Sequence, residues 1–371
     1  MENLGIEKLF DNIYKDKTVL LTGHTGFKGS WLALVLTQLG AEVVGYALPP
    51  LSYPNHFEIL KLPIKHIEGD INDTSSLRQV IRAYQPDIIF HLAAQSLVRK
   101  SYREPLLTYQ TNVLGTLNVY ESVRQESAVK AIVSVTSDKV YKNEEWLWAY
   151  RENDTLGGYD MYSSSKACAE ILTASFRDSF FNINDYGKRH QTLIATVRAG
   201  NVIGGGDWAE DRLIPDIIRA ATTNQVATIR NPHAVRPWQH VLDPIFGYLL
   251  LGQKLLEGNK DLAIAWNFGP QESDSLSVEE VSRKATRYWD KIQISMKGDA
   301  NLQLHEAIFL KVDTSRARKL LSWQPIWNVE RTLEKTIDWY REYYENNKVL
   351  SLQDLNTYIE DAIVKKAIWT I

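Results

Sequence analysis

The chain has 371 residues, of which 44% are hydrophobic and 23% are charged. This composition is typical of folded globular proteins and excludes disordered and fibrous classes. The formal net charge is -3 at pH 7 and no long cluster of Lys and Arg occurs, which argues against nucleic acid or an anionic membrane as the main partner.

The cysteine and histidine content and the amino-terminal segment bear on disulfides, metal binding and cellular location. Cys168 is the only cysteine, so no intrachain disulfide can form, which suits a reducing compartment. The histidines lack the H-E-x-x-H spacing of a metal site, so we predict no metal. Residues 1–17 lack the pattern of a signal peptide, and no apolar run approaches the roughly 18 residues that span a bilayer. We therefore expect a cytoplasmic enzyme without a membrane partner.

The first motif is a strand, a glycine-rich turn and a helix. Residues 17–22 form an apolar β-branched run, and residues 27–39 repeat apolar side chains at helical spacing. The turn GHTGFKG lies between them. Glycine lets backbone approach a pyrophosphate, and the helix amino terminus offers free N–H groups to the anion. The motif predicts a dinucleotide site that includes Gly23, Thr25, Gly26, Phe27, Lys28 and Gly29.

The next two predicted strands bear on the adenosine half of the cofactor. Residues 42–47 form the second strand, and Tyr46, Ala47 and Leu48 stand where many NAD-binding folds carry an acidic residue, so NAD is not distinguished from NADP. A third strand is predicted at 64–69. Asp70 and Ile71 after it are expected to contact adenine, or Asp70 caps the helix that begins near Thr74.

Two later strands end in polar side chains. Residues 87–93 form a continuous apolar run followed by Ala94, Gln95 and Ser96, and a helical stretch then carries Asn112. The stretch 131–141, AIVSVTSDKVY, begins as an apolar strand and runs into Ser137, Asp138 and Lys139. In an open parallel sheet, side chains at the carboxyl ends of strands face the ligand crevice, although a solvated turn is the alternative interpretation of this triplet.

A helix predicted from Asp160 carries Tyr162 and Lys166, which lie on one face because they are four residues apart. A phenol can accept a proton at neutral pH only if nearby positive charge lowers its pKa, and Lys166 and a nicotinamide ring could supply that charge. Residues 143–158, before this helix, are predicted to be a loop over the site.

The remainder is predicted to form a smaller carboxyl-terminal lobe. A strand at 193–197 leads into RAGNVIGGGDWAEDRLIP, which is a flexible loop or a ligand cradle that uses Asn201, Trp208 and Arg212. Arg236 and Trp238 follow, then a strand at 265–270 and helices near 277–289, 313–321 and 328–345. The alternation of strands and helices predicts an α/β fold with a Rossmann-type doubly wound parallel sheet.

The combination of the glycine turn, Ser137, Tyr162 and Lys166 resembles the extended short-chain dehydrogenase/reductase superfamily over about residues 15–345. The resemblance implies an NAD-binding Rossmann domain at 1–190, to which Ala93, Ala94 and Asn112 also contribute. It implies a lobe at 191–371 that mainly binds a nucleotide sugar, with strands near 193–197 and 263–268 returning to the sheet.

Four segments, TGHTGFKGSW, TSDKVY, RAGNVIGGGDWAEDRLIPD and RPWQHVLDP, resemble those of the CDP-glucose 4,6-dehydratases within this superfamily. Related dTDP-glucose dehydratases carry Thr-Asp-Glu where this chain has Ser137, Asp138 and Lys139. The acid is therefore present, while the presumed C5 base is replaced.

The resemblance implies a lyase that oxidises C4, eliminates water across C5 and C6, and returns hydride to C6. In this scheme Tyr162, with its pKa lowered by Lys166, takes the O4 proton, Ser137 hydrogen-bonds O4, and Asp138 protonates the leaving C6 hydroxyl. Lys139 is either the C5 base, for which it must be neutral, or a cation that orients Asp138 or the substrate. The implied substrate contacts are Gln95, Ser96, Asn201, Arg212 and Arg236.

The resemblance also implies a homodimer or homotetramer. Two other enzyme activities remain open, namely a nucleotide-sugar 4-epimerase, which needs no acid to expel water, and a 4,6-dehydratase that acts on another NDP-hexose. A non-catalytic NAD-binding module is a third alternative, and the presence of both Tyr162 and Lys166 argues against it.

Overall fold

A computed structural model describes residues 5–126, 128–296 and 309–370. Residues 1–4 of the amino-terminal segment considered above lie outside the described residues. The strands in chain order are β1 (Thr18–Thr22), β2 (Glu42–Ala47), β3 (Lys65–Glu68), β4 (Ile88–His91), β5 (Ala131–Val135), β6 (Leu193–Ala199), β7 (Val202–Ile203), β8 (Val226–Thr228), β9 (Val235–Pro237), β10 (Gln239–His240), β11 (Ala265–Phe268), β12 (Ser275–Ser277) and β13 (Gln293–Ser295).

The α-helices connect these strands and close the chain. They are α1 (Phe27–Gln38), α2 (His56–Leu60), α3 (Thr74–Tyr84), α4 (Val98–Arg103), α5 (Pro105–Tyr109), α6 (Gly115–Arg124), α7 (Met161–Phe180), α8 (Leu213–Thr222), α9 (Leu242–Leu256), α10 (Val278–Ala285), α11 (Ser315–Leu320), α12 (Val329–Asn346) and α13 (Ser351–Val364). A π-helical segment, Gln110–Leu114, joins α5 to α6.

The main sheet has seven parallel strands in the order β11-β6-β5-β4-β1-β2-β3. The strand order reverses between β1 and β4, and ligands bind at such a switch point because the connections leave a crevice at the carboxyl ends of these two strands. Three pairs of short strands, β7 with β10, β9 with β12 and β8 with β13, build the smaller lobe. This architecture confirms the predicted fold class.

Helices cover both faces of the sheet, as doubly wound folds require. On one face, α1, α9 and α13 pack around Trp31, Phe246 and Tyr358, and on the other, α3, α6 and α7 pack around Leu77, Val119 and Phe176. A separate core in the smaller lobe joins α8, α10 and α12. The chain returns from the lobe to the main sheet at β11 and again at α13, so both parts draw on the carboxyl-terminal half of the sequence.

The predicted helices in the carboxyl-terminal part correspond to α10, α11 and α12, each shorter or shifted by a few residues at its ends. Among the described residues no helix is long and apolar enough to cross a membrane. The same residues include no cluster of three or more His, Cys, Asp or Glu side chains that could hold a metal ion.

Candidate active site

A cavity of about 1720 Å³ opens at the carboxyl ends of the central strands. Most of the residues that the sequence singled out line it. They are Gly23, Thr25, Gly26, Phe27, Lys28, Gly29, Asp70, Ile71, Ala93, Ala94, Ser96, Ser137, Asp138, Lys139, Tyr162, Lys166, Asn201, Trp208, Arg212, Arg236 and Trp238. The cavity therefore joins the glycine turn, the end of β5 and the smaller lobe into one site.

The glycine turn has the geometry of an anion cradle. Gly23 has a φ of 76°, which favours glycine, and a Cβ at Gly29 would lie 2.2 Å from the Gly23 carbonyl oxygen, so no side chain fits there. Gly26 faces open space, since a Cβ there would meet only the Gly23 oxygen at 3.4 Å. Helix α1 starts after Gly26 without a side-chain cap, which leaves its first N–H groups free for an anion.

Lys28, in the first turn of α1, borders the cavity and is bonded to helix α9. Its Nζ donates a hydrogen bond to the hydroxyl of Tyr248 at 3.2 Å. Burial lowers the pKa of Lys28 to about 7, aided by the positive charges of Arg212 and Lys166 and opposed by Asp138. Tyr248, on α9, was not singled out from the sequence because an aromatic residue in an apolar helix gives no functional signal.

Around the predicted adenosine site, hydrogen bonds fix the strand ends. Tyr46 is buried and donates through its hydroxyl to the Asp70 carbonyl at 2.9 Å, while Thr25 Oγ1 donates to the Leu48 carbonyl at 2.9 Å. The alternative role of Asp70 as a helix cap is wrong, because the Asp73 side chain accepts from Ser76 N at the start of α3. Asp70 instead faces the cavity, with Oδ1 bonded to Asn72.

Beyond β5 the chain forms a 3₁₀ turn, Asp138–Val140, capped by Ser137. Ser137 Oγ donates to Asp138 Oδ1 at 3.1 Å and accepts from Lys139 N at 3.2 Å. Asp138 is only 2% exposed, and its Oδ2 has no hydrogen-bond partner among the described residues. Gly200 leaves room beside this oxygen, since a Cβ there would lie 3.0 Å from it. The solvated-turn interpretation is therefore wrong, because the Asp138 carboxyl is buried.

Lys139 differs from its neighbour. It is partly exposed on the cavity wall, and no carboxylate of the described residues lies within ion-pair distance of its Nζ. The structure therefore does not contain the Lys139 to Asp138 ion pair that was one of the sequence alternatives. The insertion after this turn borders the cavity through Asn143, Glu144, Gly157 and Gly158, as expected for a loop over the site.

Helix α7 places Tyr162 and Lys166 on one face, against the end of β5. Lys166 Nζ donates to the Val135 carbonyl at 3.1 Å, and burial lowers the pKa of Lys166 to about 8, opposed by the charge of Glu170. The sequence interpretation expected a lowered pKa for Tyr162. In the structure burial raises it to about 12, although a hydrogen bond with Ser137 and the charge of Arg212 act in the opposite direction.

Two predicted residues serve the scaffold instead of the cavity wall. Asn112 Oδ1 accepts from Gln95 N at 2.9 Å, and its Nδ2 donates to the Gln95 carbonyl and to Ser165 Oγ. The Gln95 side chain donates to Thr108 Oγ1 at 3.0 Å and holds the Leu97 backbone. Neither side chain borders the cavity, so of the predicted glucosyl contacts after β4 only Ser96 faces it.

In the smaller lobe, Arg212 reaches back toward the sheet. Its Nη1 pairs with Asp207 Oδ2 at 2.9 Å, and its Nη2 lies 3.4 Å from Ser96 Oγ. Asp207 was missed in the sequence, although an acid five residues before Arg212 in a glycine-rich loop could have suggested an orienting partner. Trp208 packs against Trp339 and Tyr340, and the Trp238 Nε1 donates to the Leu276 carbonyl, so both indoles are held by the protein while they border the cavity.

The model of the GDP-mannose 4,6 dehydratase family matches residues 20–336, which is most of the chain. The chain belongs to this family. The CDP-glucose 4,6-dehydratase of Salmonella typhimurium is 47% identical over 353 residues, which are 94% of this chain and 98% of that protein. The resemblance inferred from the motifs is thus confirmed.

Solved structures of other proteins share the fold. An epimerase from Methanothermobacter thermautotrophicus superposes with a TM-score of 0.77 at 24% identity, over 92% of this chain and 96% of that one. The dTDP-glucose 4,6-dehydratase from Bacillus anthracis, in complex with NAD, gives a TM-score of 0.73 at 21% identity, over 89% and 98%. The same fold is therefore found in an epimerase and in a dehydratase, so the fold alone does not decide between these activities.

Proposed function

We propose that this chain is a CDP-glucose 4,6-dehydratase that uses NAD as a resident cofactor and forms CDP-4-keto-6-deoxyglucose. The observation that carries the proposal is the buried carboxyl of Asp138, which borders the same cavity as Tyr162 and whose Oδ2 has no hydrogen-bond partner among the described residues. A 4-epimerase has no need of a proton donor beside Tyr162, whereas elimination of the C6 hydroxyl requires one. The close Salmonella relative supports the same activity.

The residues around the glycine turn fit NAD. The open space at Gly26 and the uncapped start of α1 suit a diphosphate, and Asp70 and Ile71 border the cavity where adenine would lie. Bound NAD would accept the C4 hydride, return it to C6 after water has left, and place a positive charge near the Tyr162 hydroxyl. We assign NAD in preference to NADP from the family relationship, since the end of β2 has no residue that selects between them.

The side chains divide the proton transfers between them. Tyr162 takes the proton from O4 as C4 is oxidised, and Ser137 donates a hydrogen bond to that oxygen. The 4-ketone makes the C5 proton acidic, and Asp138 protonates the C6 hydroxyl so that it leaves as water. We assign removal of the C5 proton, and its return to C5 when hydride adds to C6, to Lys139, because its amine borders the cavity and forms no ion pair with Asp138. To act as a base, Lys139 must be neutral at that step.

The substrate-binding roles follow from position. Arg212, Arg236 and Asn201 border the lobe side of the cavity and are assigned to the nucleotide diphosphate, while Ser96 faces the glucosyl ring. Arg212 is held by Asp207 and can donate its remaining N–H groups to a phosphate.

A homodimer or homotetramer in the cytoplasm completes the proposal. Its support, besides the family relationship, is the exposure of large apolar side chains on the neighbouring helices α5 and α7, where Leu106 is 71%, Ile171 56% and Phe180 50% exposed. Exposed apolar side chains of this size are available for contacts between subunits. Sedimentation equilibrium tests it, and a monomer at micromolar concentration would contradict it.

The test uses Asp138→Asn. We expect C4 oxidation to proceed and elimination to stop, so bound NADH absorbance accumulates with CDP-glucose while no 6-deoxy product forms. Glu210→Gln, an exposed carboxylate at the cavity rim, is the control and should turn over normally. Undiminished product formation by Asp138→Asn would refute the assignment.

Substrate identity is tested by NMR with CDP-, UDP- and dTDP-glucose and GDP-mannose, following loss of the C6 hydroxyl. We expect rapid loss only from CDP-glucose. Formation of UDP-galactose from UDP-glucose without a 6-deoxy product would establish the 4-epimerase instead.

A further inference from the structure

The turn that carries Ser137, Asp138 and Lys139 lies between two buried hydroxyl groups. Thr136 precedes it, and its Oγ1 donates to Glu170 Oε1 at 2.5 Å. Tyr141 follows it, and its hydroxyl accepts from Arg198 Nη1 at 2.8 Å. Glu170 and Arg198 are themselves an ion pair, with Nη2 to Oε2 at 2.7 Å. Both ends of the turn are thus attached to one ion pair.

One member of this ion pair, Glu170, lies on helix α7, which also carries the predicted base Tyr162. Tyr162, Lys166 and Glu170 follow one another at intervals of four residues, which places them along one face of α7. Lys166 also donates to the Val135 carbonyl, at the end of β5. Helix α7 and the end of β5 are therefore joined at Lys166 and again at Glu170.

Residues of β6 and β11 also hold the ion pair and the Tyr141 hydroxyl in place. Thr196 Oγ1, on β6, donates to Glu170 Oε2 at 2.7 Å, and the Tyr141 hydroxyl donates to Asn267 Oδ1, on β11, at 2.7 Å. Glu170 is 4% and Arg198 2% exposed. Arg198 and the hydroxyl donors hold the pKa of Glu170 below its ordinary value although burial opposes this, so the carboxylate is ionised.

Neither Glu170 nor Arg198 borders the cavity, so neither can touch a substrate there. A buried ion pair also contributes little net stability, because the loss of hydration offsets much of the attraction between the charges. What the pair does in this structure is connect two reactive groups, the Asp138 turn and Tyr162, that come from different elements.

We propose that Glu170 and Arg198 are positioning residues for the dehydration, which hold the Ser137 to Lys139 turn at a fixed distance from Tyr162 through Thr136 and Tyr141. This inference rests on the proposed function. Because small misplacements of reacting groups cost about 100-fold in rate, loosening one end of the turn should lower kcat without weakening substrate binding.

The test compares Thr136→Val with Thr196→Val. Each variant removes one buried hydroxyl donor to Glu170 and keeps the shape of the side chain, but only Thr136 adjoins the reactive turn. In Thr196→Val, Oε2 retains its bond to Arg198. We expect Thr136→Val to lower kcat for CDP-glucose at least about tenfold. Thr196→Val should lower it less than about twofold, with KM unchanged and similar losses of Tm in both.

Tyr141→Phe is the second variant in case Thr136→Val does not fold. It keeps the ring stacked on Tyr150, at 5.0 Å between centroids, and removes the hydroxyl that binds Arg198. We again expect a fall in kcat at constant KM. Equal kcat losses in the Thr136 and Thr196 variants, or a rise in KM in place of the fall in kcat, would overturn the positioning role. A wild-type chain that converts CDP-glucose would still leave the proposed function intact. A wild-type chain without that activity would refute both.

Discussion

Asp243 is a buried carboxyl whose ionisation should be visible in the stability of the protein. It lies in the first turn of α9, the helix that presents Tyr248 to Lys28. Its Oδ1 accepts from Ile326 N at 2.7 Å and from the Tyr358 hydroxyl at 2.8 Å, while Oδ2 has no partner among the described residues. Burial raises the pKa of Asp243 to about 7, since the hydrogen bonds only partly offset the loss of hydration.

The sign of the pH dependence follows from proton binding. Between about pH 4 and pH 7 the native state keeps a proton on Asp243 that the unfolded chain releases, so raising the pH through this window destabilises the native state. For a pKa that rises from 3.8 to about 7, the free energy of unfolding falls by about 2 kcal/mol between pH 5 and pH 7. Asp243→Asn cannot ionise and lacks this contribution.

Urea unfolding of the wild type and Asp243→Asn at pH 5 and pH 7 measures the effect, because other titrating groups are common to both chains and cancel. We expect the variant to gain about 2 kcal/mol relative to the wild type on going from pH 5 to pH 7. The control is Asp178→Asn, whose side chain is 74% exposed and should show no such change. A difference between wild type and Asp243→Asn that is the same at both pH values would refute the reasoning.

Two further predictions concern the site. Tyr162→Phe removes the group that we assign to the O4 proton, so the first oxidation should slow at least about 100-fold. Unlike Asp138→Asn, this variant should accumulate no bound NADH with CDP-glucose, and NADH formation at the wild-type rate would contradict the role. Arg212→Gln removes the charged donor that we assign to the diphosphate, a contact worth about 1.5–3 kcal/mol, so KM should rise about 10- to 150-fold. Asp207→Asn keeps the cation, should raise KM less, and is the control; an unchanged KM in Arg212→Gln would exclude the contact.

Much of the fold could be predicted because its signals are local. The strand predicted at 17–22 and the helix at 27–39 correspond to Thr18–Thr22 and Phe27–Gln38, since apolar periodicity and glycine positions do not depend on distant partners. Parallel strands then bring their carboxyl ends to one edge, which is why Gly26 and Asp138, more than a hundred residues apart in sequence, border one cavity.

The features that could not be predicted depend on contacts between elements. Gln95 follows a strand end just as Ser96 does, but Thr108 and Asn112 bind its side chain and backbone, and only the folded chain shows that these partners are near. The pKa of Tyr162 is a similar case. The spacing of Tyr162 and Lys166 correctly predicts that they share one face of a helix. The sequence does not give the degree of burial, which is the largest influence on the pKa of Tyr162.

The neighbouring residues Asp138 and Lys139 show why adjacency in sequence does not imply a shared role. Successive side chains of a 3₁₀ turn point about 120° apart, so a turn that buries one of them presents the next in another direction. Here the turn buries Asp138 against Gly200 and leaves Lys139 at the cavity wall without a carboxylate partner among the described residues. In a mutual ion pair, the carboxylate would have no proton to donate and the ammonium group could not accept one. In the proposed mechanism, their separation by the turn lets Asp138 deliver a proton to the C6 oxygen while Lys139 removes the proton at C5.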